Sequence, residues 1–371
     1  MVLNKKKIFL ISTEPSGDLL GYDLILQIYK RFQNVEIMGI GGEKMNELNF
    51  KSFFPTDGMN VNGIVEVLLK LNKFIKCLNK VKQLIIQTKP DLVITIDSPS
   101  FNYRIVKKLQ FLRPKTKFVH LVAPTVWAWK KYRAKGFAIN YDLILTLFDF
   151  EPSYFKKYNK NTFCVGHPIF YKKKIISNNI KNTITFFPGS RENEIDYILP
   201  KMILVYKKLS FKFKDLNFAL ITLPGLKKKI LNKIGNNKIN VVTSNANKIR
   251  ILKDTKLAIA ASGTVILELS RNLIPSIVVY DSNIFTSIIV KYLVKLKWAN
   301  LVNIILNKNT IPEYLFSNYK VDKVVNNVEL FVKQKELFEN QIYDFLKLQS
   351  KMLIKRKNPM DLALDYIRNR L

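Results

Sequence analysis

The sequence predicts an α/β protein of two Rossmann-like domains, each a doubly wound parallel sheet, and three observations carry that expectation. Short β-rich apolar runs recur along the chain. Each is followed by a polar or Gly/Pro loop and then a helical pattern, and the runs fall into two sets parted by a lysine- and asparagine-rich stretch. Apolar runs that are continuous rather than alternating mark strands buried on both faces, as in a parallel sheet covered by helices. A chain of 371 residues also exceeds what one hydrophobic core favours.

In chain order the first set reads KIFLIST, VEIMGIGG, DLVITID, KFVHLVAP, DLILTLF and NTFCVG. The second reads TITFFPG, FALITL, INVVTS, KLAIAAS and SIVVYD. The stretch HPIFYKKKIISNNIKN (167–182) has little apolar periodicity and reads as the linker. The domains are therefore expected at 1–168 and 169–371, with the two sheets facing across a cleft. After about residue 322 the pattern is helical only, so a C-terminal helical segment either closes the second domain or reaches back to the first.

Composition narrows the class. With 48% hydrophobic and 12% aromatic residues the chain is not disordered. Sixty-one Lys+Arg against 28 Asp+Glu give a net charge of +33, which suits an anionic partner such as nucleic acid, phospholipid or a phosphorylated substrate. The lysines are spread rather than blocked, so a skewed genome composition accounts for the charge equally well. Cys77 and Cys164 are too few for a disulfide framework and lack metal-ligand spacing, so a reducing compartment is expected and no metal is implied. The apolar run in MVLNKKKIFLIST is short for a signal peptide and meets Glu14 and Asp18, so it reads as the first strand. No run approaches the ~18 apolar residues of a spanning helix, and any membrane contact is expected to be peripheral.

Doubly wound sheets bind ligands outside the carboxyl ends of their strands. Those ends read STEPSGD (12–18), GIGGEKM (39–45), DSPSFN (97–102), APTVWAWK (123–130), FDFEP (148–152), PGSRENE (188–194) and ASGTVILE (261–268). In the sixth, Gly189, Ser190 and Arg191 stand between a strand and a helix start, where amides, close backbone approach and a guanidinium suit a phosphate; an ordinary N-cap reads the same way. In the last, Ser262, Gly263 and Thr264 open a helix, and Glu268 one turn in could take two ribose hydroxyls or simply favour the helix dipole. Neither loop is a Walker loop or a G-x-G-x-x-G with its downstream acid, which removes the main support for ATPase and dehydrogenase readings.

Asp97 ends a strand and is a candidate general base. The residues alone favour the plainer reading, an Asp capping the next turn through Ser98 or Ser100. Glu14 and Asp18, around Ser16 and Gly17, could hold sugar hydroxyls or cap a helix. There is no D-x-D, so a leaving diphosphate would be neutralised by Arg191, lysines and helix ends rather than by a carboxylate-held metal. His120 lies in an apolar strand and reads as core, whereas His167 in VGHP sits at the domain junction and could reach the cleft. Trp127 and Trp129 stand at a strand end and read as a wall of the acceptor side, with core packing of at least one as the alternative. In NGIVEVLLKLNKFIKCLNKVKQLI (62–85), an over-wide apolar face bearing Val65, Val67, Leu68, Leu71, Phe74 and Ile75 is rimmed by lysines. It suits either an interfacial helix on anionic lipid or a helix covering the sheet.

Taken in order, these motifs resemble the lipid-A-disaccharide synthase family from the first strand to about residue 316. EPSGDLLG is similar to its E-x-S-G-D-x-x-G, NGIVEVL to M-G-I-V-E-V-L, and DSPSFN to D-x-P-D-F-N. APTVWAWKKYR is similar to S-P-S-V-W-A-W-R-x-x-R, VGHP to G-H-P, and PGSRENEI to P-G-S-R-x-x-E-I. ASGTVILE and NLVNIILNKNTIPEYL (300–315) resemble S-G-T-A-x-L-E and L-P-N-L-L-x-x-x-x-V-P-E. Thr13, Asn62, Ser100, Tyr171 and Val302 depart from the pattern and bear on acceptor or acyl-chain preference.

The resemblance implies a metal-independent, cofactor-free inverting glycosyltransferase of the two-Rossmann (GT-B) type. It would join UDP-2,3-diacylglucosamine to 2,3-diacylglucosamine 1-phosphate through a β-1,6 bond. Asp97, with Glu14 beside it, would be catalytic, deprotonating the acceptor's 6-hydroxyl. Arg191 with the Gly189 and Ser190 amides would hold the diphosphate. Ser262, Gly263, Thr264, Glu268 and Asn303 would hold the nucleotide. The protein would lie on the cytoplasmic face of the inner membrane, bind no nucleic acid, and leave a homodimer open. A UDP-sugar epimerase of the same fold and a basic nucleic-acid-binding protein are the rival expectations.

Overall fold

Each of the eleven apolar runs forms a strand in the computed structural model, which describes residues 5–48, 50–54, 71–128, 131–176, 181–283, 297–368 and 370. In the first sheet these are β1 (Lys6–Ser12), β2 (Val35–Ile40), β4 (Leu92–Ile96), β5 (Lys117–Leu121), β6 (Leu143–Thr146) and β7 (Thr162–Cys164). In the second they are β8 (Thr183–Phe187), β9 (Asn217–Ile221), β10 (Asn240–Val242), β11 (Thr255–Ala261) and β12 (Ser276–Tyr280). Two edge strands escape the sequence pattern, β3 (Lys51–Ser52) and β13 (Glu313–Leu315), because two or three residues are too few to show a period.

The sheets run β3-β2-β1-β4-β5-β6-β7 and β10-β9-β8-β11-β12-β13, and every pairing between described strands is parallel. Each sheet thus reverses its winding once, between β1 and β4 in the first and between β8 and β11 in the second. Neighbouring strand ends diverge there and leave room for a ligand.

Helices cover the strands as the continuous apolar runs require. Phe9, Ile11, Val93, Phe118 and Ile144 pack under Leu78, Val81 and Ile85 of the helix Leu71–Thr88 and under Ile105 and Val106 of Pro99–Lys108. In the second unit Ile184, Phe186, Leu257, Ile259 and Ile277 meet Ile195, Ile198, Leu199 and Met202 of Glu192–Lys212. Val324, Val325 and Val328 of Val321–Lys333 join the same core.

The chain divides into Met1–Pro168 with Ile354–Leu371, and Ile169–Leu353. The sequence reading carried the second domain through residue 371. The final helix, Pro359–Arg368, instead belongs with the first unit, where it buries Leu362, Leu364 and Ile367 and packs on Pro15–Arg31. Arg31 donates to Asp361 (3.0 Å) and Asp365 (2.6 Å), and Tyr366 stacks on Phe163 with ring centroids 4.3 Å apart.

Candidate active site

At the switch point of the first sheet, β1 delivers Thr13, Glu14 and Ser16, and β4 delivers Asp97 and Ser98. A short polar network joins them. Thr13 Oγ1 donates to Ser98 Oγ (2.7 Å), Ser98 Oγ donates to Glu14 Oε1 (2.7 Å), and Ser16 Oγ donates to Asp97 Oδ2 (3.0 Å). The other Asp97 oxygen accepts the Ser98 N–H (2.9 Å), so part of the capping alternative is realised, yet the side chain keeps a solvent-facing share. Burial, and after it the charge of Glu14, push the Asp97 carboxyl above the usual carboxylate range.

The turn that presents Asp97 is strained. Asp97 and Ser98 both have left-handed backbones (φ 54° and 41°), rarely adopted by residues with a Cβ. Asn102 Nδ2 donates to the Asp97 carbonyl (2.7 Å), and the Asp97 N–H donates to the Leu121 carbonyl (2.9 Å), so both sides of the residue are fixed. Gly17 lets the first helix approach this turn, since a Cβ there would lie 2.6 Å from Ser12 Oγ and 3.3 Å from the Ile96 carbonyl. Thr13, where the resembling family has Gly, supplies the hydroxyl that holds Ser98.

Other sequence-predicted residues of this unit do different work. Asp18 is buried, and its two oxygens accept the N–H groups of Gly42 (2.8 Å), Lys44 (2.9 Å) and Met45 (3.3 Å). It thus caps the short helix Glu43–Asn46, with both oxygens engaged by backbone amides. Trp127 is buried too. Its Nε1–H donates to Glu151 (3.1 Å) and its ring meets Phe150 edge-on, so it supports the loop from within and does not present its face to a ligand. Trp129 lies outside the described residues. His167 is half-buried and stacks on Phe148, while His120 is wholly buried beside Thr95, and burial lowers its pKa to about 3. The sequence singled out the FDFEP loop but not Glu151 within it. Burial raises that carboxyl to about 7, although three N–H groups bond it.

Val65, Val67 and Leu68 lie outside the described residues, as does the side chain of Leu71. Phe74 packs edge-on against Phe101 (5.5 Å), so it belongs to the sheet-covering side of its helix, and Ile75 points outward. Among the described residues no helix is long and apolar enough to cross a membrane.

In the second unit the switch point carries Gly189, Ser190 and Arg191 at the end of β8 and Ser262, Gly263 and Thr264 at the end of β11. Gly189 has φ 111°, and a Cβ there would collide with the Glu194 carboxylate. That carboxylate accepts the N–H groups of Ser190 (2.9 Å) and Arg191 (3.3 Å) and pairs with the Arg191 guanidinium (3.0 Å). The loop therefore does favour an anion, as its sequence suggested, but the Ser190 amide expected to hold a diphosphate already holds Glu194. Arg191 remains largely exposed.

Glu268 pairs with Lys248 (2.7 Å), both about three-quarters buried. Ser262 Oγ donates to the Ala299 carbonyl (3.1 Å), and Gly263 and Thr264 are exposed. Asn303, expected as a nucleotide contact, makes its hydrogen bonds within the chain. It is wholly buried, its Oδ1 accepts the N–H groups of Thr310 (3.0 Å) and Ile311 (2.8 Å), and its Nδ2 donates to the Ile311 carbonyl (2.8 Å) and Asn309 Oδ1 (3.4 Å). A satisfied buried amide has nothing left for a ligand. Glu313 plays a similar part, accepting from Ala299 N and Asn300 N, so NLVNIILNKNTIPEYL is a self-bonded brace beside Ser262.

Two Rossmann-type parallel sheets, with a carboxylate pair at one switch point and an anion-favouring Gly-Ser-Arg turn at the other, define a two-Rossmann protein of the GT-B fold. Solved structures agree at the level of fold. UDP-GlcNAc 2-epimerase from Neisseria meningitidis, bound to UDP-GlcNAc, superposes with a TM-score of 0.59 over 98% of this chain and 100% of that one at 9% identity. A glycosyltransferase from Rickettsia africae gives 0.54 over 99% and 98% at 12% identity.

Sequence comparison is more specific. The family model for lipid-A-disaccharide synthetase matches residues 8–363. The lipid-A-disaccharide synthase of Rickettsia typhi is 35% identical over 362 residues, 94% of each chain. That of Rhodospirillum centenum is 30% identical over 350 residues, 90% of this chain and 87% of its own. The chain belongs to the lipid-A-disaccharide synthetase family, and it is a hexosyltransferase of lipid A disaccharide formation. The epimerase and nucleic-acid readings are not favoured.

Proposed function

We propose that the chain transfers a 2,3-diacylglucosamine unit from its UDP derivative to the 6-hydroxyl of 2,3-diacylglucosamine 1-phosphate, with Asp97 as general base. The observation that carries this reading is the Asp97 carboxylate, held at the switch point of the first sheet and raised above its ordinary range. A base whose pKa moves toward working pH gains driving force for accepting a proton while staying ionised. Asp97 takes the hydroxyl proton as O6 attacks the anomeric carbon. The new O6–C1 bond forms as the C1–O bond to diphosphate breaks, and UDP leaves with the electron pair. Attack opposite the leaving group inverts the anomeric centre to β.

Glu14 adds to the effect of burial in raising the Asp97 pKa and stands ready to accept from a sugar hydroxyl. In the second unit Arg191 neutralises the departing diphosphate, and Glu268, with Ser262, Gly263 and Thr264, receives the nucleoside. The first unit would thus serve the acceptor and the second the UDP-sugar. Two acylated substrates call for a membrane surface and a UDP-sugar for the cytoplasmic side of the inner membrane, with segment 62–85 as the contact. Incubating the protein with both substrates should yield UDP and a lipid disaccharide 1-phosphate. Release of UDP without the disaccharide, or epimerisation of the donor, would contradict the reading.

A further inference from the structure

Glu151 is 3% exposed, carries a carboxylate, and makes no ion pair among the described residues. Such a group is costly to bury, and its bonds say what it holds. Oε2 accepts the N–H groups of Leu147 (3.1 Å) and Phe148 (3.0 Å), which begin the loop leaving β6. Oε1 accepts the indole N–H of Trp127 (3.1 Å), which belongs to the loop leaving β5. Phe148 then stacks on His167 beyond β7, with centroids 6.0 Å apart. One carboxylate therefore ties the loops of adjacent strands at the carboxyl end of the first sheet.

The loop it ties borders Asp97. The Asp97 N–H donates to the carbonyl of Leu121, and the next residue, Val122, is a β-branched residue at φ 73°. That conformation persists only when its surroundings over-determine it. The Val122 N–H donates to the Leu145 carbonyl (3.0 Å), and its carbonyl bonds His120 Nε2 (2.9 Å). The Trp127–Glu151 bond anchors the same segment five residues on. Arg133, just beyond it, donates to Ser100 Oγ (3.3 Å) in the Asp97 turn.

We propose that Glu151 is a positioning residue for the transfer: through Trp127 it fixes segment 123–128 as the rigid border of the Asp97 site and so orients the acceptor sugar. The inference rests on the reading that the acceptor occupies the Asp97 end of the first sheet. Glu151 touches no substrate and acts only through the loop. Misplacing a reacting group by about 1 Å costs on the order of 100-fold in rate, so a loosened border is felt in turnover.

The test compares Trp127→Phe, which keeps an aromatic ring and removes the N–H, with Glu151→Gln and with both changes together, measuring UDP release at varied donor and varied acceptor. The expected result is a drop of about tenfold in kcat/KM for the acceptor in each single variant, with donor KM within about twofold of wild type. The double variant should be no worse than the poorer single one, because both remove one link. Unchanged acceptor kinetics in Trp127→Phe would overturn the inference, as would donor and acceptor constants that worsen together with the melting temperature. Asp97→Ala run in parallel separates the two levels. If it is inactive while Trp127→Phe behaves as wild type, only the positioning role fails; if it remains active, the acceptor-site reading fails and this inference falls with it.

Discussion

Replacing Asn303 by Ala distinguishes a structural amide from a nucleotide contact. The substitution orphans the buried N–H and carbonyl of Ile311, while the Thr310 N–H keeps its bond to the Lys308 carbonyl (2.9 Å). Each unsatisfied buried group costs about 1–3 kcal/mol, and some rearrangement recovers part of it, so a loss of about 3 kcal/mol is expected. For a unit of this size 1 kcal/mol moves the melting temperature by roughly 2–4 °C, which places the variant about 10 °C below wild type. Urea unfolding followed by tryptophan fluorescence measures the loss directly, since Trp298 lies close to the brace. Below the new transition, KM for the UDP-sugar should be unchanged. A variant as stable as wild type to within about 0.5 kcal/mol but with a KM raised about tenfold would refute the structural role and restore Asn303 to the nucleotide site.

Further expectations follow from charge. The carboxyl of Glu151 is raised from 4.5 to about 7 on folding, so its folded form binds a proton that the unfolded chain has released. Stability should therefore fall as pH rises from about 4.5 to 7 and level off above, by about 3 kcal/mol at 1.36 kcal/mol per pH unit. The difference between wild type and Glu151→Gln in urea titrations across that range measures it, and a flat difference would contradict it. The base Asp97 must be ionised, so kcat/KM should fall on the acid side at a pH above the ordinary aspartate range. Glu14→Gln should move that limb to lower pH by removing a like charge; a limb that stays put would exclude Glu14 as a cause. Arg31→Ala releases Asp361, leaves Asp365 to Lys357 alone and should cost about 1 kcal/mol, with faster amide exchange confined to Pro359–Arg368; exchange that is unchanged there would show that the Arg31 ion pairs do not hold the helix.

The strands were legible because each is a continuous apolar run with a Gly, Pro or Ser loop behind it, the local signature of a doubly covered parallel strand. β3 and β13 were not, since their place depends on a neighbour's free edge rather than on their own residues. The same division holds at the site. The rule that ligands gather at strand ends pointed to Asp97, Glu14, Arg191 and Glu268 as candidates, and the fold brings Asp97 and Glu14 together through Ser98. What was not legible is whether a polar group's bonds are already taken, since motif membership does not reveal it: Asp18 is engaged by three backbone amides, Trp127 by Glu151, and Asn303 by its own brace. Glu151 itself was invisible, because only the fold brings the indole of Trp127 to it. Glu194 was hidden inside a recognised motif as the anion its own loop prefers.

The central claim is that Asp97 is the base of the transfer, and turnover of Asp97→Ala, measured beside its UDP affinity, tests it most directly. Removing a general base typically costs 10²–10⁴-fold in rate. Asp97 lies in the first unit and Arg191 and Glu268 in the second, so UDP binding should match wild type while UDP release with both substrates falls by about that factor. Turnover within about threefold of wild type, or a parallel loss of UDP affinity, would contradict the account.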